Sequence, residues 1–596
     1  MRLSLSSQRL PVKWRILFIL VLVLGIIFRF YNLGSKVYWH DEVYTSIRSS
    51  GYTGDEVVED LFDGRIVSVE DLHKYQRLSP EKDLADTIHS LVKHPEHPPL
   101  YYLILRFWRQ LFGDSVVVIR SLSASISLLA FICLYWLCQE LFNSSAVGWV
   151  AISFFAVSPF QVLYAQEARE YSLWTVTILL SSASLIRAIN LTKSAYKKPR
   201  FSWLIYAVSL TLSFYTSLLS ALVAISHFLY VLSLEKFRFS KLFSDYLVAL
   251  SAAVVAFLPW IFVIIDNLFI FKEKTDWTTT NVPLSFLVKM WGLHLSCIFF
   301  DFGLELEHPF TYLVPPCLLV LVCYAIYFLC RHTDKRVWLF ILTLISVTAL
   351  FLILSDLFLG GRRSSVSRYF IPCYLGIQIA VVYLLTNKNF SSIFSQLQSG
   401  KKILIFLYLK AKQAFAHLLN PKAYGVSSSE QKGKLPYLSS FFSKIKLLVT
   451  YLFTVIFAAF SISSKKLWKT LTITLLIGGV VSCYISSQSE TWWNKIVSYH
   501  NPKIAEVINQ TPQPLVISNT SATNVGDLIS LSYLLDKKVK FQLVVKPNIP
   551  QIPNGFSHIF LFHPSQGIRQ GMEQEYQADV KLVDYPDRIP LWQLVK

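Results

Sequence analysis

The run WRILFILVLVLGIIF, residues 14–28, decides how the rest of the chain is read. Its fifteen residues contain one charge, Arg15, and follow Arg2, Arg9 and Lys13. An apolar stretch of this kind behind a basic flank reads as a first membrane-spanning helix entered from the cytoplasm. No small-x-small cleavage site follows it, so it does not read as a signal peptide. Ten residues on comes YWHDEVYTSIRSSGYTG (38–54), which sets His40, Asp41 and Glu42 immediately beyond the membrane.

Working outward, similar runs recur at 116–138, 147–165, 171–189, 202–216, 218–234, 246–266, 312–330, 337–358, 369–386 and 468–487. With the first they make eleven spans. Two further segments, 403–419 and 447–463, read either as cytoplasmic-surface helices or as an added hairpin, giving thirteen, and 284–303 reads as interfacial. Only 16% of the residues are charged against 53% hydrophobic. A soluble domain carries about 25% charge, so the composition agrees with a polytopic α-helical membrane protein. The net charge of +19 would suggest nucleic acid in a soluble chain. Here it follows the positive-inside rule. The basic clusters Lys193/Lys197/Lys198/Arg200, Lys236/Arg238/Lys241 and Arg331/Lys335/Arg336, and the ten lysines of 388–446, all fall on the cytoplasmic side of the eleven-span count. Nucleic acid is therefore excluded as a partner, and membrane lipids are included. The eight cysteines show no paired spacing, and read as apolar thiols rather than disulfides or metal ligands.

The domain reading follows. Residues 1–387 form a transmembrane core with a large first outer loop, 33–115, rich in acids. Residues 388–466 are a basic cytoplasmic-side insertion and 467–487 the last span. From 488 to 596 the apolar runs PLVISN, VKFQLVV and HIFLFHP alternate with helical patterns, which predicts a small, mostly parallel α/β domain on the outer side. WWNKIVSYHNPKIAEVINQ reads as one helix entering it. No glycine-rich nucleotide motif occurs, so no cofactor is assigned. Within the first loop, PPLYYLILRFWRQLFG (98–113) reads as an amphipathic interfacial helix with Tyr101, Tyr102 and Trp108 at headgroup depth.

The polar residues of the outer face converge. Asp41-Glu42, HPEHPPLYY (94–102), YAQEAREYS (164–172) and GGRRSSVSRYFIP (360–372) all belong to outer turns on this topology. Each also has an ordinary structural explanation: Asp41 as a helix cap, His97-Pro98-Pro99 as a turn, Glu167, Arg169 and Glu170 as solvated ion pairs. Arg362, Arg363 and Arg368 are harder to explain that way, because outer loops avoid arginine. Their guanidinium forks suit an anionic partner, a lipid headgroup or a phosphate.

Taken in order, the acidic DE pair, H-P-P-L-Y-Y, a helix ending F-G, Arg120 at the next span, S-P-x-x-x-x-Y-x-Q-E-A-R-x-Y-S and R-Y-x-x-P resemble the bacterial branch of the protein O-mannosyltransferase and lipid A aminoarabinose transferase group. The likeness covers about 14–387. It implies the type-C glycosyltransferase fold, a polyprenyl-phosphate sugar as donor, and an acceptor hydroxyl on a lipid, glycan or protein at the outer face of a bacterial plasma membrane. By position it implies Asp41 as general base, with Glu42 beside it. It places Arg368, Tyr369, Arg169 and Arg362 at the donor phosphate, and His97, Tyr101, Tyr164, Gln166, Glu167 and Glu170 around the acceptor or sugar. His40, His94, His97 and the acids offer ligands for a divalent ion, but no fixed ligand spacing marks a metal, and a metal-free mechanism is preferred. The main rival is a transporter or flippase of a lipid-linked or anionic solute, which would need ionisable residues near the bilayer midplane. A ligase working from a polyprenyl diphosphate, or an assembly protein whose spans are anchors, are further alternatives.

Overall fold

The computed structural model describes residues 10–194, 199–304, 308–390, 464–521, 523–546, 548–585 and 589–595. Most of the basic insertion lies outside them, including the segments 403–419 and 447–463, as do Arg2, Arg9, Lys197 and Lys198. All eleven apolar runs are helical. Helix α1 is Val12–Phe30; the first outer loop then folds into α2 (His40–Ser50), α3 (Gly54–Leu61), strand β1 (Asp63–Ser68), α4 (Val69–His73), α5 (Leu84–Val92) and α6 (Leu100–Phe112). The bundle continues as α7 (Val116–Phe142), α8 (Ser145–Ala156), α9 (Pro159–Ala165), α10 (Tyr171–Thr192), α11 (Arg200–Thr216), α12 (Ser220–Leu234) and α13 (Lys241–Asp266). After α14 (Leu268–Thr275) and α15 (Leu284–Ser296) come α16 (Pro309–His332), α17 (Lys335–Leu359), α18 (Ile371–Phe390) and α19 (Lys465–Gln488). Among the described residues seven helices are long and apolar enough to cross a membrane, eight if the bent pair α8–α9 is one span. Helices α11 and α12, with 17 and 15 residues, fall below that length, and α1, long enough at 19 residues, carries Lys13, Arg15 and Arg29 and is not among the seven.

The bend of 62° between α8 and α9 has a local cause. Pro159 opens α9 and cannot donate to the preceding turn. The carbonyls so released are taken by Arg29 from α1, which donates to Ala156 at 2.6 Å and Phe155 at 3.2 Å, and is itself fully buried. A cation at a helix C-terminus is favourable. Gly25 allows the approach: a Cβ there would stand 2.4 Å from the Ala156 carbonyl oxygen.

The two ends of the bundle differ chemically. At one end Lys193 pairs with Glu235 (3.2 Å), Lys335 donates to the Ser233 carbonyl (3.0 Å) and Arg336 to Asn190. The basic clusters thus share an end, as their charge predicts. At the other end lie the outer loop and the turns 165–171 and 360–370.

Three expectations change. The C-terminal sheet is mixed, not mostly parallel. Its order is β1-β3-β2-β4-β6-β5, with β2 (Pro514–Asn519) parallel to both β3 (Lys540–Val544) and β4 (His558–Phe562). The outer pairings, β1 with β3, β4 with β6 (Leu591–Val595), and β5 (Asp579–Leu582) with β6, are antiparallel. Strand β1 comes from the first outer loop, so the domain is completed across more than four hundred residues of chain. Second, Tyr101 and Tyr102 of α6 are buried in the protein rather than at headgroup depth, while Phe107, Leu111 and Phe112 are exposed. Buried Arg106 and Arg109 bolt α6 onto α2, reaching the Ser49 carbonyl and the Ser46 carbonyl, each at 3.2 Å. Third, the single helix expected over 492–510 is broken. A 3-10 segment, Trp493–Ser498, precedes α20 (Asn501–Gln510), with Ile496 in a non-helical conformation.

Candidate active site

The site is built on α2. Its N-cap position is Trp39, whose indole offers no oxygen to the first turn. Two substitutes serve instead: Glu42 reaches back to the Trp39 N–H (3.4 Å), and the His40 N–H donates to Ser498 Oγ (3.1 Å) from beyond the last span. Asp41 and Glu42 thus sit in the first turn, where the helix dipole favours carboxylates.

Four carboxylates and four cations form a connected set of pairs. Arg368 approaches Asp41 Oδ2 at 3.3 Å, although 327 residues separate them. Arg120 forks Glu42, Nε to Oε1 at 2.8 Å and Nη2 to Oε2 at 2.7 Å. Lys495 Nζ bridges Glu167 Oε1 (3.0 Å) and Glu42 Oε2 (3.3 Å). Arg169 meets Glu170 at 3.3 Å and also donates to Thr45 and Tyr102 hydroxyls (3.2 and 3.4 Å). Charged pairs so enclosed are strong only when their remaining hydrogen bonds are filled. Arg120 meets that condition, donating also to the carbonyls of Leu33, Lys36 and Val37.

The pairs are unequal in access. Glu42 is fully buried and its Oε1 also accepts from the Ala168 N–H (2.8 Å). Burial alone would raise its pKa, but Arg120 and Lys495 outweigh burial and bring it down to about 2. Glu167 moves the other way: burial and the Glu42 charge raise it against Lys495. Asp41 keeps 21% of its side chain open, and Arg368 keeps 11%. Burial of Asp41 is opposed by Arg169 and Arg368, which hold its carboxyl below the ordinary range. Lys36, buried and close to Lys495 and Arg120, falls to about 7 and donates to Gln166 Oε1 at 3.2 Å.

The sequence-predicted residues separate into two groups. Asp41, Glu42, Glu167, Arg169, Glu170 and Arg368 come together, and Tyr369 lines Arg368, its ring 5.9 Å from the guanidinium, with Trp39 and Tyr171 at 5.7 and 5.6 Å. Tyr164 is adjacent, its hydroxyl 2.8 Å from Ser367 Oγ. His97 flanks the cluster, with its ring 5.9 Å from that of Tyr102 and Nε2 3.7 Å from Glu96. Burial, with Arg48 and Arg169 nearby, keeps its imidazole well below the usual pKa. The other residues are engaged elsewhere. The hydroxyl of Tyr101 turns to Ser123 on α7 (2.7 Å), and Tyr102 occupies the place facing Arg169. Gln166 ties its loop to the end of α1, donating to the carbonyls of Phe28 and Tyr31. Arg362 lies over Trp277 (5.9 Å), and Arg363 is held by Asp356 (3.3 Å).

Sequence reasoning passed over Lys495 and Asn494, which also donates to Glu167. Both lie in WWNKIVS, directly after α19 and at the same end of the bundle as Asp41. The signal was the polar N-K pair beside two tryptophans. Those indoles both donate to Asp301 (2.8 and 2.7 Å) and fix the segment. Among the described residues no group of three or more His, Cys, Asp or Glu is placed to hold a metal ion.

This bundle, with its polar end built from an acidic pair and arginines, has the type-C glycosyltransferase fold. Over 98% of both chains it superposes on the crystal structure of ArnT from Cupriavidus metallidurans bound to undecaprenyl phosphate, with a TM-score of 0.51 at 13% identity. The apo form of that protein matches at 0.49, again with 13% identity and 98% of both chains. The archaeal oligosaccharyltransferase AglB from Archaeoglobus fulgidus matches at 0.38 and 10% identity, over 88% of this chain and 65% of its own. Residues 96–262 match the family model described as dolichyl-phosphate-mannose-protein mannosyltransferase. No curated protein matches by sequence.

Proposed function

We propose that this chain transfers a sugar from a polyprenyl-phosphate donor to an acceptor hydroxyl at the outer face of a bacterial plasma membrane, with inversion. The N-terminus is then cytoplasmic and the C-terminal domain periplasmic. The observation that carries the reading is the 3.3 Å approach of Arg368 to Asp41, the most open of the paired carboxylates. A base and a phosphate-binding cation meet where a lipid-linked phosphate meets water.

In this reading the acceptor oxygen, on a lipid, glycan or protein, attacks C1 of the sugar. The bond from C1 to the phosphate oxygen breaks, and polyprenyl phosphate leaves with the electron pair. The acceptor proton passes to Asp41, since a neutral hydroxyl is a weak nucleophile near neutral pH. Charge gathering on the leaving phosphate is met by Arg368 and Arg169, fixed beforehand by Tyr369, Tyr171 and Glu170. Glu42, Glu167 and Glu170 hold the cations rather than react. His97 and Tyr102 border the acceptor side. The fold and the match over residues 96–262 support the class of reaction.

The test is transfer of radiolabelled sugar from polyprenyl-phosphate donors in membranes, comparing wild type with Asp41→Asn at matched expression. Removing a general base costs about 10²–10⁴-fold. Loss of that size with donor binding intact is expected. Unchanged transfer removes Asp41 from the chemistry, and no transfer by wild type from any donor supplied favours a transporter.

A further inference from the structure

Resting on that reading, we infer that Lys495, from the segment linking the last span to the C-terminal domain, is a positioning residue of the active site. It clamps the helix bearing Asp41 to the loop bearing Arg169.

The geometry is specific. Lys495 Nζ links Glu42 on α2 to Glu167 on the 165–171 turn, at 3.3 and 3.0 Å, with the ammonium 5.5 Å from the Trp39 ring, and adds to the bond that Glu42 accepts from the Ala168 N–H of the same turn. Its side chain is 1% exposed. The segment carrying it is pinned on both sides. Trp492 and Trp493 donate to Asp301, and Ser498 accepts from the His40 N–H while donating to Asp527 at 2.6 Å. Asp527 in turn pairs with His563 at 3.1 Å. The non-helical turn at Ile496, φ +27°, directs Asn494 and Lys495 together toward the carboxylates. A linker serving only as a spacer has no reason to bury an ammonium between two acids.

Without that ammonium, two buried carboxylates face each other. Glu42 retains Arg120 at hydrogen-bond distance, whereas Glu167 keeps Asn494 and the more distant charges of Arg120, Lys36 and Arg368. Repulsion would separate α2 from the turn and so move Asp41 relative to Arg169 and Arg368. A proton shared between the carboxylates can replace the ammonium, so the defect should be mild in acid. It should deepen as pH rises and Glu167, the carboxylate with the raised pKa, gives up that proton.

The experiment uses the full-length protein, with Lys495→Met, Lys495→Arg, Glu167→Gln and the Lys495→Met/Glu167→Gln double variant. Sugar transfer and thermal stability in detergent are both followed across pH. Expected for Lys495→Met is a fall in kcat of about tenfold or more at neutral pH, shrinking toward acid, with arginine restoring most of it. In the Glu167→Gln background the same change should cost only about threefold or less, because the repulsion is already gone. Wild-type-like transfer and pH profile in Lys495→Met overturn the inference. So does a loss that Glu167→Gln does not relieve, or a stability change with transfer untouched. If wild type itself transfers nothing, the proposed function fails. The pH-dependent stability of Lys495→Met still reports whether the clamp exists.

Discussion

Asp41 and Arg368 illustrate what a single pair does in this setting. Burial by itself would favour a neutral Asp41, and Arg169 with Arg368 reverses that. The sign follows from the lowered pKa. The pair stabilises the folded protein above the carboxyl's unfolded value, and the contribution disappears as pH falls through the folded one. At neutral pH Asp41 is therefore ionised and able to accept a proton. Replacing Arg368 with Gln leaves burial less opposed. Transfer is expected to drop by about 10²-fold or more, and its acid limb to move to higher pH. A pH–rate profile of Arg368→Gln with an unshifted acid limb would show that the arginine does not act on Asp41. Glu42, brought down to about 2, stays charged across this range and holds Arg120 throughout.

At the scale of elements, the most informative helix is α2. Its own sequence supplies no good N-cap, since Trp39 stands where Ser, Thr, Asp or Asn is favoured. Ser498 supplies the acceptor from 458 residues away in the chain. Ser498→Ala should cost about 1 kcal/mol, the usual worth of a lost cap. Thermal unfolding in detergent measures it, and a loss indistinguishable from zero would mean that the His40 N–H is satisfied otherwise. Helix α6 carries a related lesson. Arg106 and Arg109 made it read as too polar to span, and both are spent inside the protein, Arg106 on Ser49 and Thr87 and Arg109 on Ser46 and Ser49, not on lipid headgroups. Its period placed a helix there, but a period cannot say whether an arginine faces water, lipid or a neighbouring carbonyl.

At the scale of the whole molecule, the C-terminal domain is woven into the end of the bundle that carries Asp41 and Arg368. Strand β1 of the outer loop completes its sheet, Tyr38 packs on Tyr533 with ring centroids 5.1 Å apart, and Val37 donates to the Glu490 carbonyl. The packing is tight at Gly526 in α21 (Asn524–Ser532), where a Cβ would stand 2.6 Å from His40 Nδ1 and 2.7 Å from the Tyr44 ring. Gly526→Val should therefore push the domain off α2. Faster limited proteolysis between residues 485 and 500 and a fall in transfer of about tenfold are expected. If both stay at wild-type levels, the contact does not hold the site together. By itself the sequence determined where the apolar helices fall, which end carries the basic residues, and the motifs that collect Asp41, Arg169 and Arg368 on one face. These rest on apolar run length, charge asymmetry and motif order, all carried along the chain. Only the tertiary structure decided that Glu42 is locked by Arg120, that Tyr102 and not Tyr101 faces Arg169, that Arg362 lies elsewhere, and that Lys495 completes the set. Those outcomes depend on which buried charge finds which partner across hundreds of residues, and a one-dimensional pattern holds no distances.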